Sequence, residues 1–252
     1  MQAYGPGFAR VYNLKWAGYA QRVAPALLEF HAARTPAGGS RGNVLDLCCG
    51  TGLLAWHFLE KGYRVVGIDL SAPMLEHARA TVGAYVATGQ ATFIEADARD
   101  FTLDERFGLV VSTYDALNHL DDLAALRSCF ECVSAVCDGA FVFDLNTRVG
   151  LRRWNSIEVD ESRDDAVILT RGVFDDGSGK AYVNISGFVA ARDGLYERFS
   201  ETVFNTVFEM ASVRTALLET GFRDVYFATV QDPSRPIAEP ELESRVFVVA
   251  TK

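Results

Sequence analysis

The chain has 252 residues, of which 49% are hydrophobic and 23% charged, with a formal net charge of −9. That suits one large globular domain with a substantial core, and an acidic chain without a basic tract argues against a DNA or RNA substrate. No apolar run approaches the ~20 residues of a membrane span, and Met1–Gly7 lacks the basic and apolar regions of a secretion signal, so a cytoplasmic protein is expected.

In chain order, Tyr12–Ala33 reads as one helix, with Leu14, Ala17, Val23, Leu27, Leu28 and Phe30 at rough helical spacing. Thr35–Ser40 is a Pro/Gly-rich loop. Strands and helices then alternate: strand Val44–Leu47, helix Gly52–Glu60 stopped by Gly62, strand Arg64–Ile68, and a helix from a Ser71 cap to about Ala87 with Pro73 in its first turn. Thr92–Glu95 and the continuously apolar Phe107–Ser112 are strands, the second of the kind buried in a parallel sheet. Asp121-Asp122 opens a helix to about Val136, and Ala140–Leu145 is the next strand. Repeated strand–helix units imply a parallel sheet with helices on both faces.

After Asn146 the pattern changes. Ala166–Phe174, Ala181–Val189 and Tyr196–Phe208 are β-rich and joined by Asp175–Gly179 and Arg192-Asp193-Gly194, both hairpin turns. Met210–Glu219 returns to helix. Val225–Val230 and Arg245–Ala250 are final strands whose connection is too short for a crossover, so they pair antiparallel. The expected fold class is α/β: a doubly wound, mostly parallel seven-stranded sheet, with an antiparallel β insert after the fifth strand.

The five cysteines are an odd number and should be free thiols. Cys129-x-x-Cys132 has ligand spacing, but it falls in a helical pattern with no second pair, so Cys129, Cys132 and Cys137 read as core thiols and no metal is expected. His31, His57 and His77 lie in helical patterns and read as structural.

The chemistry concentrates where strands end. Gly50-Thr51-Gly52-Leu53-Leu54-Ala55 fits G-x-G-x-x-A, a turn that lets a cofactor approach the backbone and that also serves nicotinamide and flavin. Three acids narrow it. Asp46 stands inside the first strand, where a dinucleotide fold keeps apolar residues; Asp69 ends the second strand, where a carboxylate can accept from ribose hydroxyls; Asp97 follows the third.

Over about Val44–Asn146, with the two final strands also fitting, this set resembles the class I S-adenosylmethionine-dependent methyltransferases. The resemblance implies S-adenosylmethionine as cofactor. Gly50 and Gly52 would lie against its methionine end, and Asp46 would orient that end through its ammonium. Asp69 would hold the ribose, with Leu70 and Met74 near the adenine. Asp97 would accept from the adenine amino group and the Ala98 N–H would donate to the ring. Cys48 stands where many relatives have Gly or Ala. The segment beyond the fourth strand, Ser112–His119, would border the acceptor: Thr113 and Tyr114 line the cofactor, while His119, Tyr114 and Asn118 are the candidate catalytic residues, His119 because it can take a proton near neutral pH.

The aromatic N-terminal segment resembles the lid of small-molecule methyltransferases, with Tyr12 and Tyr19 over the cofactor and Arg10 and Trp16 behind them. Lid, insert and return helix together resemble a bacterial subgroup that includes glycine N-methyltransferase-like enzymes and amino-sugar N,N-dimethyltransferases. The implied organisation is a lid over residues 1–40, a cofactor domain over 41–149 and 208–252, and an insert over 150–207 that roofs the acceptor or mediates a dimer contact. Arg152, Trp154, Tyr182, Tyr196 and Arg198 are candidates for that roof. The implied partner is a small-molecule acceptor of an N- or O-methyl, with the protein a monomer or homodimer. Left open are a cofactor-binding module without turnover, a protein or RNA acceptor, and a nicotinamide-dependent oxidoreductase.

Overall fold

The computed structural model describes residues 4–34, 42–191 and 194–252. The expectations for Met1–Ala3, the Thr35–Ser40 loop and Arg192-Asp193 lie outside the described residues.

The main sheet follows from β-branched and aromatic runs closed by Gly-rich or acidic turns. Its strands are β1 (Asn43–Leu47), β2 (Arg64–Asp69), β3 (Ala91–Glu95), β4 (Phe107–Ser112), β5 (Cys137–Asn146), β10 (Asp224–Thr229), β11 (Asp232–Pro236) and β12 (Arg245–Thr251). Their order is β11-β10-β12-β5-β4-β1-β2-β3. β1 through β5 pair parallel, while β12 runs antiparallel between β5 and β10. Eight strands replace the expected seven. The short β11 forms from Asp232–Pro236, part of the stretch read as a bare connection, and its Pro residues suit only an edge.

Helices cover both faces. α6 (Leu123–Val136) and α8 (Met210–Glu219) pack on one, where Phe130, Phe141 and Phe143 meet. α2 (Gly18–Ala32) and α3 (Leu53–Glu60) pack on the other, with Leu27, Phe30 and Phe58 fully buried. The side-chain caps Ser71, accepting from Met74 N, and Asp122, accepting from Ala125 N, start α4 (Ala72–Thr81) and α6 as expected. The helix expected to run to Ala87 is broken at Val82, leaving α5 (Gly83–Ala87) separate. Among the described residues no helix is long and apolar enough to cross a membrane.

The expected Tyr12–Ala33 helix is two helices, α1 (Pro6–Lys15) and α2. The reason is divided packing. Phe8, Tyr12 and Trp16 cluster with ring centroids 5.4–6.0 Å apart and pack toward the insert, whereas Tyr19 turns inward to stack on Tyr114 at 4.3 Å. One straight helix cannot serve both surfaces.

After α7 (Arg148–Arg152), the insert is a four-stranded antiparallel sheet, β6-β7-β8-β9, from Ile157–Asp160, Ala166–Asp175, Lys180–Ala190 and Tyr196–Thr206. β6 was not legible in the sequence. Alternation puts Ile168, Val183, Ile185 and Phe199 on the buried face, against α1 and Met74 of α4. α1 therefore lies between the insert and the main sheet.

Candidate active site

Strand order reverses at β1, which has β2 on one side and β4 on the other. A crevice beyond the carboxyl ends of these strands is where an open α/β sheet takes its ligand. A cavity of about 330 Å³ opens there, with Cys48, Gly50, Asp69, Leu70, Met74, Ala96 and Ala98 on one side. Tyr4, Phe8, Tyr12 and Trp16 of the N-terminal segment cover it, and Trp154, Thr170, Val183, Ile185 and Val203 of the insert side close it. A smaller cavity of about 40 Å³ lies beneath, lined by Asp46, Thr51, Tyr19 and Leu54 among others, and shares Tyr12, Trp16, Cys48, Gly50, Thr113 and Tyr114 with the larger.

The turn after β1 is left-handed at Cys48 (φ 59°), Gly50 (φ 54°) and Gly52 (φ 74°). The two glycines do different work. A Cβ added to Gly50 meets nothing within 4 Å, so the missing side chain leaves space for a ligand, whereas one added to Gly52 would come 3.0 Å from the Ala78 Cβ. Gly52 lines neither cavity; it lets α3 and α4 approach, a correction to its expected cofactor contact.

Asp69 organises this turn. Its Oδ2 accepts from Gly50 N at 2.8 Å and its Oδ1 from Ser71 N at 2.9 Å. Each oxygen keeps a second acceptor site for a ligand hydroxyl. Burial raises its pKa, opposed by these backbone donors. Asp46 is 2% exposed, and its Oδ2 has no hydrogen-bond partner among the described residues. Burial, then the nearby Asp69, push its pKa up to about 8. A buried carboxyl oxygen without a partner beside a small cavity is the condition a cationic ligand group would relieve. The cleared space at Gly50 and the half-occupied Asp69 complete a set that fits a nucleoside joined to an amino acid.

Asp97 departs from its expectation. Its carboxylate is held by Arg99 through Nη2 at 2.6 Å, Nε at 3.0 Å and the backbone N at 2.9 Å, and it lines neither cavity; its neighbours Ala96 and Ala98 do.

The far wall comes from the ends of β4, β5 and β12. Tyr114 and Asp115 are consecutive non-glycine residues with positive φ, 67° and 52°. Such backbone costs of order 1–3 kcal/mol per residue and persists where the surroundings over-determine it. Here the fully buried Asp144 does so: Oδ1 accepts from Tyr114 N at 2.5 Å and Oδ2 from Asp115 N at 2.9 Å. Arg245 donates to Asp144 Oδ2, and to Asp115 Oδ1 at 2.6 Å, with its guanidinium 5.1 Å from the Tyr19 ring centroid and 5.3 Å from that of Tyr114. Burial, then Asp115, push the Tyr114 hydroxyl up to about 12, so it stays protonated.

His119 ends a short 3-10 turn, Ala116–His119, and lines the larger cavity. Its Nε2 lies 3.1 Å from the Tyr4 hydroxyl. Burial lowers its pKa, opposed by Asp115 and by a hydrogen bond to the Phe204 carbonyl, so the ring is neutral. Asn118 is corrected. It is fully buried outside both cavities, donating to the carbonyls of Asn146 (3.1 Å) and Thr206 (2.8 Å) while accepting from Asn146 N (2.9 Å). It fastens the insert to β5. Tyr19 borders only the smaller cavity.

Of the expected roof residues only Trp154 faces the cavity. Gly172 makes this possible, because any Cβ there would lie 2.0 Å from the Trp154 carbonyl oxygen. Arg152 pairs with Asp176, and Tyr182, Tyr196 and Arg198 are exposed. Behind the lid, Trp16 lines the cavity while Arg10 pairs with Glu197 at 2.6 Å. Sequence reasoning missed Tyr4, Phe8, Asp115 and Arg245. For Arg245 and Asp144 a signal existed: opposite charges inside apolar strands, whose register places them diagonally across β5 and β12.

The reversing sheet, the left-handed Gly turn and the carboxylates of β1 and β2 define a class I methyltransferase fold. Residues 44–137 match the family model described as a methyltransferase domain. The chain is 27% identical to the putative methyltransferase YqeM of Bacillus subtilis (strain 168), over 84% of this chain and 85% of that one. It is also 27% identical to the dTDP-3-amino-3,4,6-trideoxy-alpha-D-glucopyranose N,N-dimethyltransferase of Streptomyces venezuelae, over 88% and 93%. Among solved structures, it is similar to an S-adenosylmethionine-dependent methyltransferase from Clostridium acetobutylicum ATCC 824, with a TM-score of 0.77 and 19% identity over 97% of each chain. The chain carries a methyltransferase domain over residues 44–137.

Proposed function

We propose that the chain transfers the methyl group of S-adenosylmethionine to a nitrogen of a small molecule. The observation that carries this reading is the cavity itself: it runs from the Gly50–Asp69 turn to His119 and is closed by α1 and the insert. Its size suits a small ligand. An acidic chain with a pocket set between the sheet, α1 and the insert favours a small acceptor over a nucleic acid. Nitrogen is favoured over oxygen by the S. venezuelae relative, an N,N-dimethyltransferase, which matches this chain over most of its length.

The bound cofactor supplies an electrophilic methyl on a sulfonium, whose C–S bond electrons leave with sulfur as nitrogen bonds the carbon. The protein's own residues bind, orient and exclude water. Asp46 meets the ammonium of the methionine end, Asp69 the ribose hydroxyls, and Cys48, Gly50, Thr113, Tyr12 and Tyr19 surround that end of the site. Leu70, Met74 and Ala98 flank the adenine; Asp97 is left out of the assignment because Arg99 occupies it. Tyr114, shared by both cavities, stands at the boundary between cofactor and acceptor.

An amine arriving as ammonium has no free lone pair and must lose a proton before attack. His119 is neutral, and its Nε2 lies next to the Tyr4 hydroxyl. The pair can take that proton within the cavity.

Incubation with S-adenosylmethionine and a panel of amines and alcohols, read by S-adenosylhomocysteine release and mass spectrometry, tests this. Methylated amines are expected. Methylated alcohols alone would contradict the choice of nitrogen. Cofactor binding with no product from a wide panel would favour a binding module without turnover.

A further inference from the structure

The wall around His119 holds two buried carboxylates side by side. Asp115 and Asp144 are 8% and 0% exposed, and they share one guanidinium, Arg245. Asp144 is turned into the wall itself: its two oxygens accept from Tyr114 N, Asp115 N and Arg245. Asp115 gives Oδ1 to Arg245, makes no other side-chain hydrogen bond among the described residues, and lines the larger cavity. Asp144, Tyr4, Tyr12, Tyr19, Tyr114 and His119 all shift toward their neutral forms, and Arg153 also lines the cavity. Glu158, on the insert wall, is already matched by Lys15 of α1 at 3.0 Å. Asp115 thus brings to the cavity wall a buried carboxylate with one oxygen uncommitted among the described residues. A buried carboxylate oxygen is costly to leave without a donor.

We infer that Asp115 is the docking carboxylate for the acceptor's ammonium group, so that the pocket selects a cationic amine over a neutral molecule of the same shape. The inference rests on the reading of this cavity as an amine-methylating site. Asp115 stands between the two groups such an amine needs, Arg245 that holds the carboxylate and His119 that can receive the amine's proton. Tyr4, Tyr12 and Tyr114 present aromatic rings to the same cavity, a lining that also attracts cations. Asp115 is a specificity residue for the amine, distinct from Asp46, which faces the smaller cavity.

The test uses the full chain loaded with S-adenosylhomocysteine and two probes of one shape, cyclohexylamine and cyclohexanol, titrated by calorimetry. Wild type should bind the amine about tenfold to a hundredfold more tightly than the alcohol, the range of hydrogen bonds to charged groups. Asp115→Asn should bring the two probes to near parity. Asn tolerates the left-handed backbone at this position, and S-adenosylhomocysteine affinity serves as the check on folding. Parity in wild type, no measurable binding of either probe, or a preference that survives in a folded D115N protein would each overturn the inference. Failure of the amine-transfer reading shows differently: the binding preference would persist while S-adenosylmethionine yielded no methylated amine.

Discussion

The two halves of the cavity are built on opposite plans. On the cofactor side, short turns within one βαβ unit carry the polar groups: Asp46, Gly50 and Asp69 lie within 24 positions of one another, and backbone N–H groups hold the Asp69 carboxylate. On the acceptor side the groups come from distant parts of the chain. Tyr4 meets His119 across 115 positions, and Arg245 meets Asp115 across 130. In the proposed reading, local construction builds the half that holds the cofactor and long-range construction the half that meets the acceptor.

Substitutions can break or sharpen that contrast. The largest effect is expected at His119: replacement by Asn should lower the methylation rate about 10²–10⁴-fold, the usual contribution of a positioned proton acceptor, with S-adenosylhomocysteine affinity retained. An intact rate would remove His119 as the base. Asp69→Ala should weaken cofactor affinity by about 1–3 kcal/mol through lost ribose hydrogen bonds, and more if the Gly50 and Ser71 N–H groups lose their order. Equal affinity by calorimetry would disprove the ribose assignment.

Asp46 gives a pH signature. Its pKa in the ligand-free fold is raised to about 8, mainly by burial, above that of an unfolded chain. The folded state therefore holds the proton more tightly, and stability falls as pH rises from about 4 to about 8. Asp46→Asn should flatten that fall in a thermal-melt series. In wild type near neutral pH, cofactor binding should release part of a proton, read as a dependence of calorimetric heat on the buffer's ionisation enthalpy. No such dependence would mean Asp46 is already ionised or never meets the ammonium. The smallest effect is expected at Asp97: with its carboxylate on Arg99, Asp97→Ala should change cofactor affinity by less than about 0.5 kcal/mol.

The same contrast governs what the sequence makes legible. The parallel strands, the Ser71 and Asp122 caps and the Gly50–Asp69 turn follow from short-range periodicity and turn chemistry. The Tyr12–Ala33 reading failed because the break at Trp16 depends on which distant surface each aromatic ring finds. Asn118 looked catalytic among its polar neighbours, yet its partners, Asn146 and Thr206, are visible only once β5 and β9 are assembled. Asp97 follows its strand as Asp69 ends its own, but an Arg two residues on captures it. On the insert, β alternation identified strands without telling which face would be inner, so Tyr182, Tyr196 and Arg198 were placed on the roof although they are exposed.

The central claim is that the crevice at the ends of β1 and β2 holds S-adenosylmethionine through Asp46 and Asp69. The most direct measurement is calorimetric titration of the protein with S-adenosylhomocysteine at neutral pH. One-site binding of roughly micromolar strength (about −8 kcal/mol) is the predicted result. A protein that is folded and binds neither S-adenosylhomocysteine nor S-adenosylmethionine would contradict it.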